Sequence, residues 1–319
     1  MSRLIEFSKT FKPFQYPWAM KIAEEHENLH WVEGEANLEG DVEDWQRNLA
    51  PNEKNLIHQI LRLFTQSDVQ VGGNYCEHYI PYFKNNEIRN MLLSFASREG
   101  IHQRAYALLN ETINLPESDY EAFLEYEEMA DKMEYMADMD MNSKTSVGLA
   151  LAKTVFSEGV SLFGAFAMLL NFQRFGKMKG MCEIVRWSIL DESIHVEGMA
   201  KLFRTFCDEN PEIVDDSFKR SIYDMARSIA FLEERFISLA FELGNIEGLT
   251  QEEVKSYVRY LCDRRLTQLG LKPNFHEETC SIPWFDEIMT GTTFANFFES
   301  RVTDYEVVGL AGKWDSAYS

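Results

Sequence analysis

Two copies of one pattern stand out in this chain: a lone carboxylate, some thirty helix-like positions, then Glu-x-x-His. In the first copy Asp68 leads by 31 positions (68 to 99) into Glu99 and His102. In the second, Glu158 leads by 34 positions (158 to 192) into Glu192 and His195. A glutamate and a histidine three apart on a helix share one face, about 5–6 Å apart at Cβ, so both can grip one metal ion. Two such pairs with two lone carboxylates make six ligands for two ions, the ligand logic of di-iron and di-manganese carboxylate bundles. Oxygen-rich ligation with only two imidazoles suits iron or manganese better than structural zinc, which favours cysteine and histidine in closed tetrahedra. Four carboxylates balance two divalent ions and can shift between terminal and bridging modes as the ions are oxidised, so dioxygen chemistry fits the set.

The bland reading of these acids is a solvated surface. Against it, both pairs sit inside apolar helices: MLLSFASREGIHQRAYALL around His102 and IVRWSILDESIHVEGMAKLF around His195. A carboxylate on a core-facing stripe is costly unless it is paired or metal-bound. A third Glu-x-x-His, Glu27 and His30, has no lone carboxylate before it and reads as a chance match. Tyr106, four residues after His102, lies one turn further along the same face. On spacing alone it is either a core tyrosine with a hydrogen-bonded hydroxyl or a phenol that an oxidising metal pair could strip of an electron and a proton.

The elements that must position these residues are long helices. With only 17 Gly and 8 Pro in 319 residues, breakers are scarce and an all-α fold is expected. Pro51 opens a helix that runs to about residue 80, before Pro81, with Asp68 in its middle. Asn85 or Asn86 caps the next, which ends near residue 114 and carries Glu99 and His102. Ser118 and Glu121 have capping-box spacing for a third, ending near residue 142. A fourth, about 143 to 175, carries Glu158, and a fifth, about 179 to 209, carries Glu192 and His195. Two more follow over roughly 216–244 and 250–269, then short helices and a tail. Helices of about 45 Å need partners along their length. An antiparallel bundle provides them and brings the midpoints, where the ligands sit, to one level.

Residues 1–50 read as an irregular segment with aromatic anchors, among them Phe7, Phe11, Trp18, Trp31 and Trp45. No low-complexity linker divides the chain, so a single domain over 1–305 is expected, with a flexible C-terminal tail over 306–319. The hydrophobic share is 45%, enough for a sizeable core. The net charge of −21, from 31 basic and 52 acidic residues, repels phosphate backbones and argues against nucleic-acid binding. Five widely spaced cysteines, an odd number without a C-x-x-C pair, suit a reducing cytosol rather than a disulfide framework. The N-terminus MSRLIEFSKTFKPF has no apolar h-region, so no signal peptide is expected. The longest uncharged apolar stretch, Gly159 to Leu170, is too short for a bilayer and reads as a buried core helix, so no membrane association is expected.

With Asp68, Glu99-x-x-His102-x-x-x-Tyr106, Glu158 and Asp191-Glu192-x-x-His195 together, the chain resembles the small (β) subunit of class I ribonucleotide reductase. The resemblance runs from about Phe14 to Tyr305. It implies a ferritin-like long-helix bundle with extra helices and the di-metal site in the bundle core, in a cytoplasmic homodimer serving deoxyribonucleotide synthesis and so DNA replication. It implies two iron or two manganese ions per chain, with a flavodoxin-like activator if the metal is manganese. By the same resemblance, an oxygen oxidant at the metals turns Tyr106 into a stable tyrosyl radical, sent on demand to a cysteine of the large (α) subunit to reduce ribonucleoside diphosphates.

Three further stretches match the family residue by residue. Trp31, in HWVEGEANL, stands where the family keeps a tryptophan between metal site and surface, and Asp191 matches the aspartate expected to link Trp31 to His102. In FFESRVTDY, Glu299 and Tyr305 match the glutamate and the relay tyrosine of radical transfer, and the tail beyond implies docking to the large subunit. Leu162 replaces a frequent phenylalanine beside the radical pocket, and Ser188 an aliphatic residue. Two other classes fit the same ligands: a stand-alone di-metal oxidase or hydroxylase, and a ferritin-like metal store.

Overall fold

The computed structural model describes residues 3–290. Up to Ser281 the described chain forms one compact unit, and a second begins at Ile282. Among the described residues there is no strand, only an isolated bridge between Ile246 and Leu249. The chain is all-α, as its shortage of breakers predicts.

α1 (Pro17–Asn28) and the short α2 (Glu39–Glu43) come first. α3 (Pro51–Asn74) runs through a π-helical turn (Tyr75–Tyr79) into α4 (Ile80–Tyr82). Then come α5 (Asn86–Thr112) and α6 (Glu127–Ala137). α7 (Lys144–Phe156), a second π-helical stretch (Ser157–Leu162) and α8 (Phe163–Leu170) make one continuous rod. α9 (Lys179–Glu209), α10 (Asp216–Ala240) and α11 (Gln251–Gln268) complete the first unit, and α12 (Pro283–Thr290) belongs to the second.

Local chemistry sets these boundaries. Pro51 occupies the first turn of α3, where its fixed φ suits a helix and its missing N–H is no loss. The Asn85 side chain accepts the N–H groups of Glu87 and Ile88 at 3.0 and 3.2 Å and so starts α5. Ser143, Asp215 and Thr250 cap α7, α10 and α11 in the same way. α3 packs along α5, α5 against α9, and α9 against both α7 and α8; α8 also touches α3, which closes a ring of four rods. α1 lies across α5 and α9, and α10 and α11 cover the α7 side. Gly198 lets α5 and α9 approach: a Cβ there would lie 2.7 Å from the Phe95 ring. Lys144–Phe175 is long and apolar enough to pass for a membrane span by composition, yet its most apolar window is wholly buried, so it is the core rod of the bundle.

Three sequence expectations need correction. The first fifty residues are not irregular throughout, because α1 is a regular helix whose stripe Ala19, Ile22, Ala23 and His26 faces inward at i, i+3, i+4, i+7. The helix expected from Ser118 starts only at Glu127 and follows two 3₁₀ turns. Buried Asp119 binds His58 at 2.6 Å and Arg62 at 3.2 Å, which ties that segment to α3 as turns. Helix also continues past Pro81, which falls in the first turn of α4 directly after a π turn, and it ends at the extended residue Phe83.

Candidate metal centre

The four rods bring Asp68 (α3), Glu99 and His102 (α5), Glu158 (the π segment before α8), and Glu192 and His195 (α9) to one place in the core. None of the six is more than 2% exposed. Single ligand atoms of Asp68, Glu99 and His102 lie within 4.8 Å of one another, as do those of Glu99, Glu192 and His195. Glu99 belongs to both groups. Glu192 also faces both histidines, with Oε1 3.2 Å from His102 Nδ1 and Oε2 3.2 Å from His195 Nδ1. The arrangement therefore has two carboxylates between the histidines, Glu99 and Glu192, with Asp68 and Glu158 at the flanks.

A buried polar atom normally has a hydrogen-bond partner. Here both oxygens of Glu99, both of Glu192, Asp68 Oδ2 and His195 Nδ1 have none. They crowd one another without hydrogen-bond alignment, as atoms aimed at shared points between them do. Four carboxylates and two imidazole nitrogens match the charge and donor preference of two divalent cations such as iron or manganese, so the residues present fit a di-metal pair. The titration of these groups agrees. Burial, reinforced by neighbouring carboxylates, pushes Asp68 and Glu158 well above the usual carboxylate range. His195 is raised to about 10: burial works against its charge, but Glu192 and Glu99 hold the proton. Protons thus stand in for cations at this cluster.

Behind the ligands lies a second layer centred on Asp191. Its Oδ2 accepts the indole N–H of Trp31 at 2.8 Å and lies 3.0 Å from His102 Nε2. The Trp31 and His102 rings are stacked at 5.7 Å and 22°, and Trp187 lies 5.1 Å beyond Trp31. Asp191 Oδ1 faces His26 Nε2 at 3.4 Å and Arg98 Nε at 3.5 Å. Burial works against the charged carboxylate, but the contacts with His102 and His26 and the charges of His102 and Arg98 hold Asp191 far below its ordinary value. His195 is braced separately. Its Nε2 lies 3.2 Å from His26 Nε2, and His26 Nδ1 lies 3.1 Å from Ser94 Oγ, whose hydroxyl donates to the Met91 carbonyl at 2.9 Å. One set of tautomers satisfies this chain: His195 donates to His26, and His26 donates to Ser94. Burial lowers His26 to about 4, in keeping with a neutral ring.

Tyr106 is buried one turn beyond His102. Its hydroxyl donates to Ser188 Oγ at 3.2 Å, Ser188 donates to the Ile184 carbonyl at 3.1 Å, and Phe64 meets the ring edge-on at 4.9 Å. Burial and the Asp68 charge push the phenol upward, so it holds its proton. Glu299, Tyr305 and the tail over 306–319 lie outside the described residues. Sequence reasoning missed His26, although the inward stripe of α1 carries it; the nearby Glu27–His30 match drew attention from it. It also missed Tyr75, which donates to Glu158.

Comparison with known proteins identifies the family. The sequence model of the family "Ribonucleotide reductase, small chain" matches residues 8–281. The probable ribonucleoside-diphosphate reductase small subunit 048L of Invertebrate iridescent virus 3 is 39% identical, covering 98% of this chain and 88% of its own length. The ribonucleoside-diphosphate reductase subunit beta of Chlamydia pneumoniae is 28% identical over 93% of this chain and 90% of its own. In fold, the ribonucleotide reductase R2 subunit of Clostridium botulinum superposes with a TM-score of 0.82 at 20% identity, covering 88% of this chain and 91% of that one. The dimanganese(II)-NrdF of Streptococcus sanguinis gives 0.78 at 20% identity, over 89% and 100%. Matched over most of its length by the family's model and by relatives of similar size, the chain belongs to the ribonucleotide reductase small-chain family, the oxidoreductase component that works with a large subunit.

Proposed function

We propose that this small subunit holds two iron or two manganese ions through Asp68, Glu99, His102, Glu158, Glu192 and His195 and uses them to oxidise Tyr106 to a stable tyrosyl radical. The radical then travels to the large subunit, where it starts reduction of ribonucleoside diphosphates. When bound, the ion pair supplies the oxidising power, drawn from an oxygen oxidant, that a phenol requires to give up an electron.

The chain's own residues do the rest. Tyr106 keeps its proton until oxidation, so electron and proton leave together. Ser188 orients the hydroxyl through a neutral contact, and burial keeps water from the radical. Trp31 and His102 share one oxygen of Asp191, which gives a hydrogen-bonded and stacked path outward from the centre. Glu299 and Tyr305 continue that path, and the tail over 306–319 docks on the large subunit. The protein works as a cytoplasmic homodimer, and a manganese form takes its oxidant from a flavodoxin-like activator.

The shared Asp191 oxygen is the observation that carries this reading. An oxidase with its own organic substrate, or a metal store, has no use for an indole linked to a candidate metal-ligating histidine. The cavity bordering Glu158 has a volume of about 10 Å³, room for one water and not for an organic substrate. The test is electron paramagnetic resonance on chain loaded with iron(II), or with manganese(II) plus reduced activator, then exposed to air. A tyrosyl signal that disappears in Tyr106→Phe is expected. No signal with either metal would put the oxidase reading ahead.

A further inference from the structure

Tyr106 hydrogen-bonds to a serine, whereas Tyr75 hydrogen-bonds to a candidate ligand itself. The buried Tyr75 hydroxyl lies 2.8 Å from Glu158 Oε1 and 3.0 Å from Oε2. It carries a single proton, so it sits astride the carboxylate and can serve one oxygen at a time. Both oxygens of Glu99 and Glu192, and Oδ2 of Asp68, accept no hydrogen bond. Glu158 also stands apart from the convergent groups. Its Oε2 is 3.7 Å from His195 Nδ1, against 3.2 Å for the nearest oxygens of Glu99 and Glu192.

The backbone aims both residues. Tyr75 opens one π-helical turn, Tyr75–Tyr79, and Glu158 lies in the other, Ser157–Leu162. Such turns displace side chains from an α-helical ladder and recur at functional sites. The Tyr75 ring is held edge-on by Phe95 at 5.9 Å and by His195 at 6.1 Å, so the hydroxyl has little freedom to turn away. The cavity of about 10 Å³ beside both residues, lined also by Tyr79, Thr154 and Ser157, leaves room for Glu158 to move.

We infer that Tyr75 is a positioning residue that tethers Glu158 through one oxygen and leaves the other for a metal ion. Glu158 is thereby a one-oxygen ligand, set back from the cluster. Without the tether, Glu158 would lose the hydrogen bond that fixes its one-oxygen pose, and the ion it would hold would be gripped less firmly. The inference rests on the di-metal reading above.

The test is titration of the metal-free, full-length chain with manganese(II) under argon, followed by calorimetry and electron paramagnetic resonance of the bound ions. Wild type, Tyr75→Phe and Tyr79→Phe are compared. Tyr79 is the control, equally buried, with its hydroxyl 2.6 Å from Thr154 Oγ1 and donating to the Ala150 carbonyl at 2.9 Å. Wild type and Tyr79→Phe are expected to bind two ions alike. Tyr75→Phe should weaken one of the two binding events by about 10–100-fold, the usual effect of removing a partner of a metal ligand, and change the line shape of that ion alone. Tyr75→Met, which also lacks the hydroxyl, should do the same and serves if the phenylalanine variant does not fold. Unchanged binding and spectra in the folded variant overturn the inference, and so does equal weakening of both events. A wild-type chain that binds no ion pair refutes the di-metal reading itself, a failure visible before any variant is compared.

Discussion

Replacing Asp191 with asparagine should weaken both the fold and the metal site. The side chain keeps its shape, and its remaining carbonyl oxygen can still accept from Trp31 and His102, as Oδ2 does at 2.8 and 3.0 Å. What changes is the oxygen that faces Arg98 Nε at 3.5 Å. An amide NH₂ there confronts a guanidinium that is only 6% exposed. Removing one partner of a buried charge pair costs about 3–5 kcal/mol. Arg98 retains only long contacts to the carbonyls of Trp31 and His26, both 3.4 Å, which offset little. Because Asp191 Oδ1 makes no aligned hydrogen bond, the loss should fall at the lower end, about 3 kcal/mol. Against a native stability of about 5–15 kcal/mol, a urea melt of the metal-free chain resolves it easily. Adding Arg98→Met removes the stranded charge, so the double variant should recover more than half of the loss. A loss below about 1 kcal/mol, the size of a surface pair, would refute the idea of a buried charge hub, as would a double variant less stable than Asp191→Asn alone.

Three other outcomes are expected. Folded His195 holds its proton to about 10 against 6.5 when unfolded, so its contribution is complete below pH 6.5 and lost as pH rises through about 10. His102, Asp68 and Glu158 are raised too and slope the same way, so metal-free chain should lose stability over that range in urea melts, and manganese(II) loading should flatten the loss. Gly159→Ala places a Cβ 2.9 Å from Arg265 Cδ, beneath a buried guanidinium that donates to the Gly159 carbonyl; a loss of about 1–3 kcal/mol in the same melts is expected, and no loss would mean that the π segment yields. Ser188→Ala removes the partner of the Tyr106 hydroxyl, so the radical should still form but with an altered g-anisotropy; an unchanged spectrum would show that the hydroxyl does not lean on Ser188.

Much of this architecture is legible in the sequence because its periodicities are regular. The helix expected over 179–209 is found as Lys179–Glu209, and Asn85 caps α5 as its side-chain type predicts. The Glu-x-x-His spacing places each pair on one helix face, and the two faces do meet. Tyr75 and Glu158 show where such reading stops. Both lie in π-helical segments, where one extra residue per turn breaks the 3.6-residue period, so no spacing rule aims one at the other. His26 escapes for a different reason: its partner His195 is 169 positions away, and only the crossing of α1 over α9 joins them. At Asp119 a tertiary contact overrides local preference, and a capping-box pattern yields two turns instead of a helix.

The sealing of the centre has a kinetic consequence. With every candidate ligand at most 2% exposed, an ion that enters the cluster must first displace packed side chains. Loading must wait for the rods to part, so uptake should become independent of metal concentration once the ion is abundant, with a ceiling set by how often the helices breathe. The same latch works in reverse: an ion once inside leaves no faster than the protein opens, and chelators can only collect what the chain releases.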